Sequence, residues 1–205
     1  MLYEYLLDNF GINEPIFTSD IKYKDYSKVW ISKELAKLCE NKMLIRYERG
    51  LYYIPQKTLF GNSILNPNKI IQRKYLSENG NAIGFYTGIT ALQKIGLSTQ
   101  MSNTSEIQTN NENSKLRKVK IGNQDVILRK SRVEINNQNV SVLQFLEIMN
   151  CASSSYFNDE RKEILKAWIK QMNISRQLVI EYAPYFPDKT MRNLIESGVI
   201  YYVAQ

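Results

Sequence analysis

Lys33 and Lys37 stand four residues apart, Val29 and Ser32 fall on the same side of any helix that carries them, and Arg46 and Arg49 follow shortly after. This set is suited to recognition rather than bond making. Ammonium and guanidinium groups hold phosphate or the guanine edge, a serine hydroxyl meets either kind of base edge, and valine meets a thymine methyl. Such a surface reads duplex DNA by contact.

The elements that must position these residues are legible in Tyr26–Pro55, YSKVWISKELAKLCENKMLIRYERGLYYIP. Ser27 is a suitable N-cap for a helix running to about Glu40. At roughly 100° per residue, Ile31, Leu35 and Leu38 form its apolar stripe, and Val29, Ser32, Lys33, Ala36, Lys37 and Glu40 occupy the other side. Ser27 and Lys28 would hold phosphate at its N-terminus. Asn41-Lys42 breaks the helix, Met43–Tyr47 reads as a strand, Glu48-Arg49-Gly50 as a turn, and Leu51–Ile54 as the return strand before Pro55. A helix followed at once by a basic hairpin is the latter half of a winged helix-turn-helix, with Arg46 and Arg49 on the wing. Tyr47, Tyr52 and Tyr53 either pack across the hairpin or bond phosphate. Upstream, Leu2, Tyr3, Leu6, Leu7 and Phe10 predict a first helix ended by Gly11. Thr18-Ser19-Asp20 would cap a short second helix through about Lys24.

Charge supports a local footprint. The net charge is +7, but residues 1–56 carry eight basic and eight acidic side chains, whereas 69–132 carry eleven and four. Within the first segment, Ile21–Arg49 holds eight basic against four acidic residues, a basic edge on a neutral domain. The absence of histidine removes Ser-His and Cys-His nucleophile pairs, histidine-ligated metals and an imidazole base. The chain reads as a non-enzyme, with no cofactor and no metal expected. Cys39 and Cys151 have no partners at ligand spacing and read as buried free thiols. Neither a secretory leader nor an apolar run of membrane-spanning length is apparent, so a cytoplasmic protein without a membrane partner is expected.

Residues 57–68, KTLFGNSILNPN, read as an inter-domain linker pinned by Leu59, Phe60 and Ile64. A helix from about Pro67 to Asn79 should follow, then a strand through Tyr86 and a short helix from Gly88 to Ile95. The glycines there fit close helix–strand packing better than a phosphate cradle, since no Gly-Lys-Ser/Thr follows. After a weak strand near Glu106–Thr109, KLRKVKIGNQDVILRKSR predicts a hairpin turning at Gly122-Asn123. Lys115, Arg117, Lys118, Lys120, Arg129, Lys130 and Arg132 crowd it, opposed only by Asp125. A second nucleic-acid contact and an edge hairpin kept soluble by its cations are both open readings. From Val140 the chain is helical: Ser141 would cap the first helix, Asp159 open a second, and others span Ser175–Tyr182 and Pro187–Gly198. Glu160 and Lys162 resemble a nuclease fragment but lack a preceding strand aspartate.

The order of these signals resembles the AbiEi-like antitoxins of bacterial type IV toxin-antitoxin and phage-abortive systems. Gly50, Tyr52, Tyr53 and Pro55 match that family's wing pattern, and Gly84, Phe85, Gly88, Ala91, Leu92, Gly96 and Leu97 its second-domain pattern, over about residues 1–135. The resemblance implies an autorepressor that binds promoter repeats of its own operon. It also implies an antidote to a co-encoded nucleotidyltransferase-like toxin, acting without a stable complex. A winged-helix protein-interaction adaptor or stand-alone transcription regulator, and after these a nuclease, are the alternatives. The expected architecture is α+β: a winged helix-turn-helix over 1–56, a linker over 57–68, and a domain over 69–205 whose mixed α/β middle leads into a helical part from about 140.

Overall fold

Gly11 ends the first helix with φ +84°, a conformation that a side chain would strain, and so turns the chain toward the first strand. The computed structural model describes residues 1–59, 61–100 and 102–203. Its two units are Met1–Arg73 and Lys74–Gln205.

In the first unit, α1 (Leu2–Phe10) is followed by β1 (Ile16–Phe17), α2 (Lys28–Glu40), β2 (Ile45–Glu48) and β3 (Leu51–Tyr53). The antiparallel sheet has the order β1-β3-β2, so the strand before α2 closes the hairpin's inner edge. Gly50, at φ +79°, makes the hairpin turn, and its carbonyl accepts the Thr18 backbone N–H at 2.9 Å. Leu2, Leu6, Ile16, Ile21, Ile31, Leu35, Leu44 and Ile54 form one buried cluster between helices and sheet. This is winged-helix connectivity with one reduction. The expected second helix is a single 3₁₀ turn, Thr18–Asp20, and none of its polar side chains caps it. Buried Ile21 is already extended, and Lys24 turns through φ +49°, so the chain cannot continue helically to Lys24.

The 57–68 segment is built into the first unit. β4 (Lys57–Thr58) and β5 (Gly61–Asn62) form a small hairpin, and α3 (Pro67–Ile71) follows, capped by Asn66. Leu59 and Ile64 do not anchor it: they are 100% and 85% exposed, while Leu65 is buried. Phe60 lies outside the described residues. The segment is tied down by polar groups instead. Tyr53 Oη donates to the Ser63 carbonyl at 3.0 Å, Lys69 pairs with Glu14, and Arg73 reaches Asp20 at 2.9 Å.

The expected helix to Asn79 stops at Leu76, its last turn widening into a π-helix over Gln72–Leu76. Asn79 and Gly80, both at positive φ, turn a hairpin between β6 (Ser77–Glu78) and β7 (Asn81–Ala82). That dipeptide suits a type I′ turn better than a helix end. In the second unit, β8 (Gly84–Tyr86), α4 (Gly88–Lys94), β9 (Thr104–Thr109), β10 (Arg117–Ile121) and β11 (Gln124–Lys130) follow. They build a sheet of order β10-β11-β9-β8 in which β11 and β9 run parallel. The glycines serve close approach, as expected. A Cβ on Gly84 would run into the Tyr75 carbonyl, and one on Gly88 would lie 2.5 Å from the Glu106 carboxylate.

Helices α5 (Val140–Cys151), α6 (Asp159–Gln171), α7 (Arg176–Tyr182) and α8 (Asp188–Glu196) complete the unit. α5 is the centre of its core: Val142, Leu143, Phe145, Leu146, Ile148 and Met149 are all buried. Asn139, not Ser141, precedes α5. Ser141 lies within the first turn, and the Asn139 side chain holds the approach by donating to the Glu134 carbonyl at 2.9 Å. Asn158 and Ser175 cap α6 and α7 through side-chain oxygens. Both cysteines are free, but Cys39 is half-buried and Cys151 exposed, so the expectation of two buried thiols is corrected. Among the described residues no helix is long and apolar enough to cross a membrane.

Candidate nucleic-acid interface

Helix α2 is held by both ends and one face. Ser27 Oγ accepts the Trp30 backbone N–H at 3.2 Å, Ile31 and Leu35 are buried, and Leu38 is half-buried. Before it, Tyr23, Tyr26 and Trp30 stack, with ring centroids 3.9 Å apart for Tyr26 and Trp30 and 5.7 Å for Tyr23 and Tyr26. Lys24 lies over the Tyr23 ring at 5.3 Å, and Tyr5 Oη accepts the Lys22 backbone N–H. The stack fixes the turn into α2 where the absent second helix would have done so. The sequence reading missed it; the signal was aromatic residues at spacings of three and four spanning the cap.

With that face buried, Lys28, Val29, Ser32, Lys33, Ala36, Lys37 and Glu40 are all exposed, Val29 at 65%. The polarity expected of the helix is therefore present. The groups are not equally available. Lys28 and Lys33 form no ion pair among the described residues, whereas Lys37 Nζ lies 2.6 Å from Glu34. Ser32 Oγ donates to the Lys28 carbonyl at 2.9 Å, leaving its lone pairs as the feature it can show a base. Ser27 has its oxygen engaged as the cap but keeps its hydroxyl proton for a phosphate.

On the wing, Arg46 extends from β2 opposite Tyr52, and Arg49 sits in the turn; both are exposed and neither forms an ion pair among the described residues. A register irregularity between Arg46 and Glu48 twists the strand just before the tip. The tyrosines pack: Tyr53 is buried, and Tyr47 and Tyr52 are half-buried. Burial pushes the hydroxyls of Tyr47 and Tyr53 above the ordinary tyrosine range, keeping both neutral. Burial likewise raises the Cys39 thiol in the last turn of α2, against the lowering effect of Arg46.

The second basic region is divided by its contacts. Arg117 pairs with Glu112 at 2.7 Å, Arg129 with Glu106 at 3.1 Å and Arg132 with Glu147 at 2.9 Å. Asp125 is thus not the hairpin's sole acidic opponent: the nearby Glu112 and the more distant Glu106 and Glu147 converge on its arginines. The Ser114 N–H and the Arg117 charge hold the Glu112 carboxyl below its ordinary range despite burial. Lys115, Lys118, Lys120 and Lys130 remain exposed and without ion pairs among the described residues. Glu160 is exposed and Lys162 half-buried on α6, and no group of three or more metal-ligating side chains occurs among the described residues.

A model of a protein family described as a family of unknown function, DUF6088, matches residues 16–176, well over half of the chain and spanning parts of both units. No curated protein matches.

Proposed function

We propose that this chain, which belongs to the DUF6088 family, is a non-enzymatic, cytoplasmic DNA-binding autorepressor whose reader is α2 and its wing. One observation carries the reading: α2 buries one side and presents Lys28, Val29, Ser32, Lys33 and Lys37 on the other, beside a hairpin bearing Arg46 and Arg49. A helix entering the major groove needs that alternation of cation, hydroxyl and methyl, and a wing needs cations for the flanking backbone. Lys33 is the central base or phosphate contact. Lys37 contributes once DNA draws it from Glu34, an exposed pair worth about 0.3–0.5 kcal/mol.

The antitoxin role rests on the sequence resemblance to AbiEi-like proteins, and the partner it proposes is a nucleotidyltransferase-like toxin. Two experiments test the two halves. Lys33→Glu with Lys37→Glu should abolish the gel shift of the chain's own upstream DNA at moderate salt while circular dichroism stays unchanged; an unaltered shift overturns the reader. A nucleotidyltransferase-like reading frame beside this gene, whose toxicity is relieved on co-expression with the chain, is the expected result for the antidote; absence of such a frame or failure to rescue overturns it.

A further inference from the structure

The sheet of the second unit is covered unevenly. Cross-strand register puts Lys118, Lys120, Asp125 and Ile127 on the same face as Thr104, Glu106 and Gln108. On that face α4 packs against β9 and α5 against β8, and Gln108 is buried. Lys118 and Lys120, on the edge strand β10, and Asp125, near the start of its neighbour β11, are exposed. Here the surface dips into a concavity of about 460 Å³ bordered by Thr104, Lys118, Lys120, Asp125 and Ile127. That volume is in the range of small-ligand sites, roughly 300–1,000 Å³.

Its chemistry is mixed in a particular order. Lys118 and Lys120 are two residues apart on one strand, so their flexible stems leave on the same side, roughly 7 Å apart, and both ammonium groups can close on one phosphate. Asp125 is directly opposite Lys120 in register, yet the two form no ion pair among the described residues. The carboxylate therefore remains an acceptor within the same concavity. Ile127, opposite Lys118, supplies an apolar floor, and Thr104, opposite Asp125, adds a hydroxyl. A polynucleotide backbone would bring several phosphates past the Asp125 carboxylate and be repelled by it. A small ester with its phosphate at one end and hydroxyl or amino groups at the other suits both signs of charge.

We propose that this concavity binds a small phosphate ester bearing hydroxyl or amino groups, of nucleoside-monophosphate size. The phosphate lies between Lys118 and Lys120, the ligand body rests on Ile127, and Asp125 and Thr104 take its hydroxyl or amino groups. The site belongs to the second unit and does not depend on the DNA reading.

Isothermal titration of the full chain at roughly 0.15 M salt tests it. The titrants are the adenosine, guanosine, cytidine and uridine 5′-monophosphates, ribose 5-phosphate, inorganic phosphate and a single-stranded oligonucleotide. At least one organic ester should saturate at one per chain and bind more tightly than inorganic phosphate. Lys118→Gln with Lys120→Gln should weaken it about tenfold or more, losing charge-assisted bonds, and Asp125→Asn should weaken the ester without weakening inorganic phosphate. Circular dichroism and gel shifts of upstream DNA run alongside separate folding and DNA binding from this site. No saturating ester, saturation indifferent to these substitutions, or binding of the oligonucleotide alone overturns the proposal.

Discussion

The α2 surface and the β10–β11 hairpin are both basic in sequence, the hairpin more densely, but they differ in what their charges face. Around α2, Lys28, Lys33, Arg46 and Arg49 are exposed and carry no ion pair among the described residues, on a segment with equal numbers of acids and bases. On the hairpin, Arg117, Arg129 and Arg132 are spent on Glu112, Glu106 and Glu147, two of which are buried. A buried carboxylate must be paired or it is costly, so those arginines hold the second unit together before they can hold a partner. Sequence density of charge therefore overstates how many of the hairpin's cations are free to meet a partner.

The comparison can be broken first at the support of the reader. Leu35 is fully buried under α2, and Leu35→Ala should cost about 2–5 kcal/mol of stability and remove DNA binding with it; a denaturant midpoint unchanged from wild type would contradict the packing. Next comes the claim that hairpin arginines are structural. Arg132→Ala leaves Glu147 buried with, among the described residues, the Asn150 amide as its remaining side-chain donor, at 3.1 Å. Because Arg132 is itself partly exposed, the expected loss is about 1–3 kcal/mol, with affinity of the folded protein for DNA retained. Lost affinity with unchanged stability would move Arg132 into a binding surface.

The wing should matter less than α2. Arg46→Ala with Arg49→Ala should weaken specific and nonspecific duplexes alike and flatten the salt dependence by about two counterions; a selective loss for one sequence would make the wing a base reader. The smallest effect concerns pH. The Glu112 carboxyl is held below its ordinary value, first by the Ser114 N–H. Its contribution is thus fully present above the ordinary carboxylate range and is lost as pH falls through the depressed value. Glu112→Gln should accordingly destabilise the chain at neutral pH, and its unfolding curves should converge on wild type in acid; a constant difference at all pH values would remove the charge from the explanation.

Local signals carried much of this molecule. Periodicity placed α1 and α2 and chose the exposed side of α2, because an apolar stripe at 100° leaves one solution. Gly50 and Gly122-Asn123 placed two turns, each needing positive φ. The omissions and the errors arose where distant partners decide. Ile16–Phe17 becomes a strand because β3 offers it an edge, and Thr18–Asp20 is cut to one turn as the Gly50 carbonyl and the aromatic stack take over the positioning. Asn79-Gly80 was readable as a hairpin turn but was obscured by the helical pattern before it. The pairing of Arg129 and Arg132 was not readable, because it requires the parallel register of β11 with β9 and the approach of α5, whereas Arg117 pairs locally with Glu112, five residues before it.

The most direct test of the central claim is fluorescence anisotropy of the full chain against its own upstream duplex and a scrambled duplex, at several salt concentrations. Wild type, Lys33→Glu/Lys37→Glu and Lys118→Gln/Lys120→Gln are compared. The account predicts that the α2 variant loses its preference for the upstream duplex while the hairpin variant keeps it. The reverse pattern, with preference lost from the hairpin and kept by α2, would contradict it.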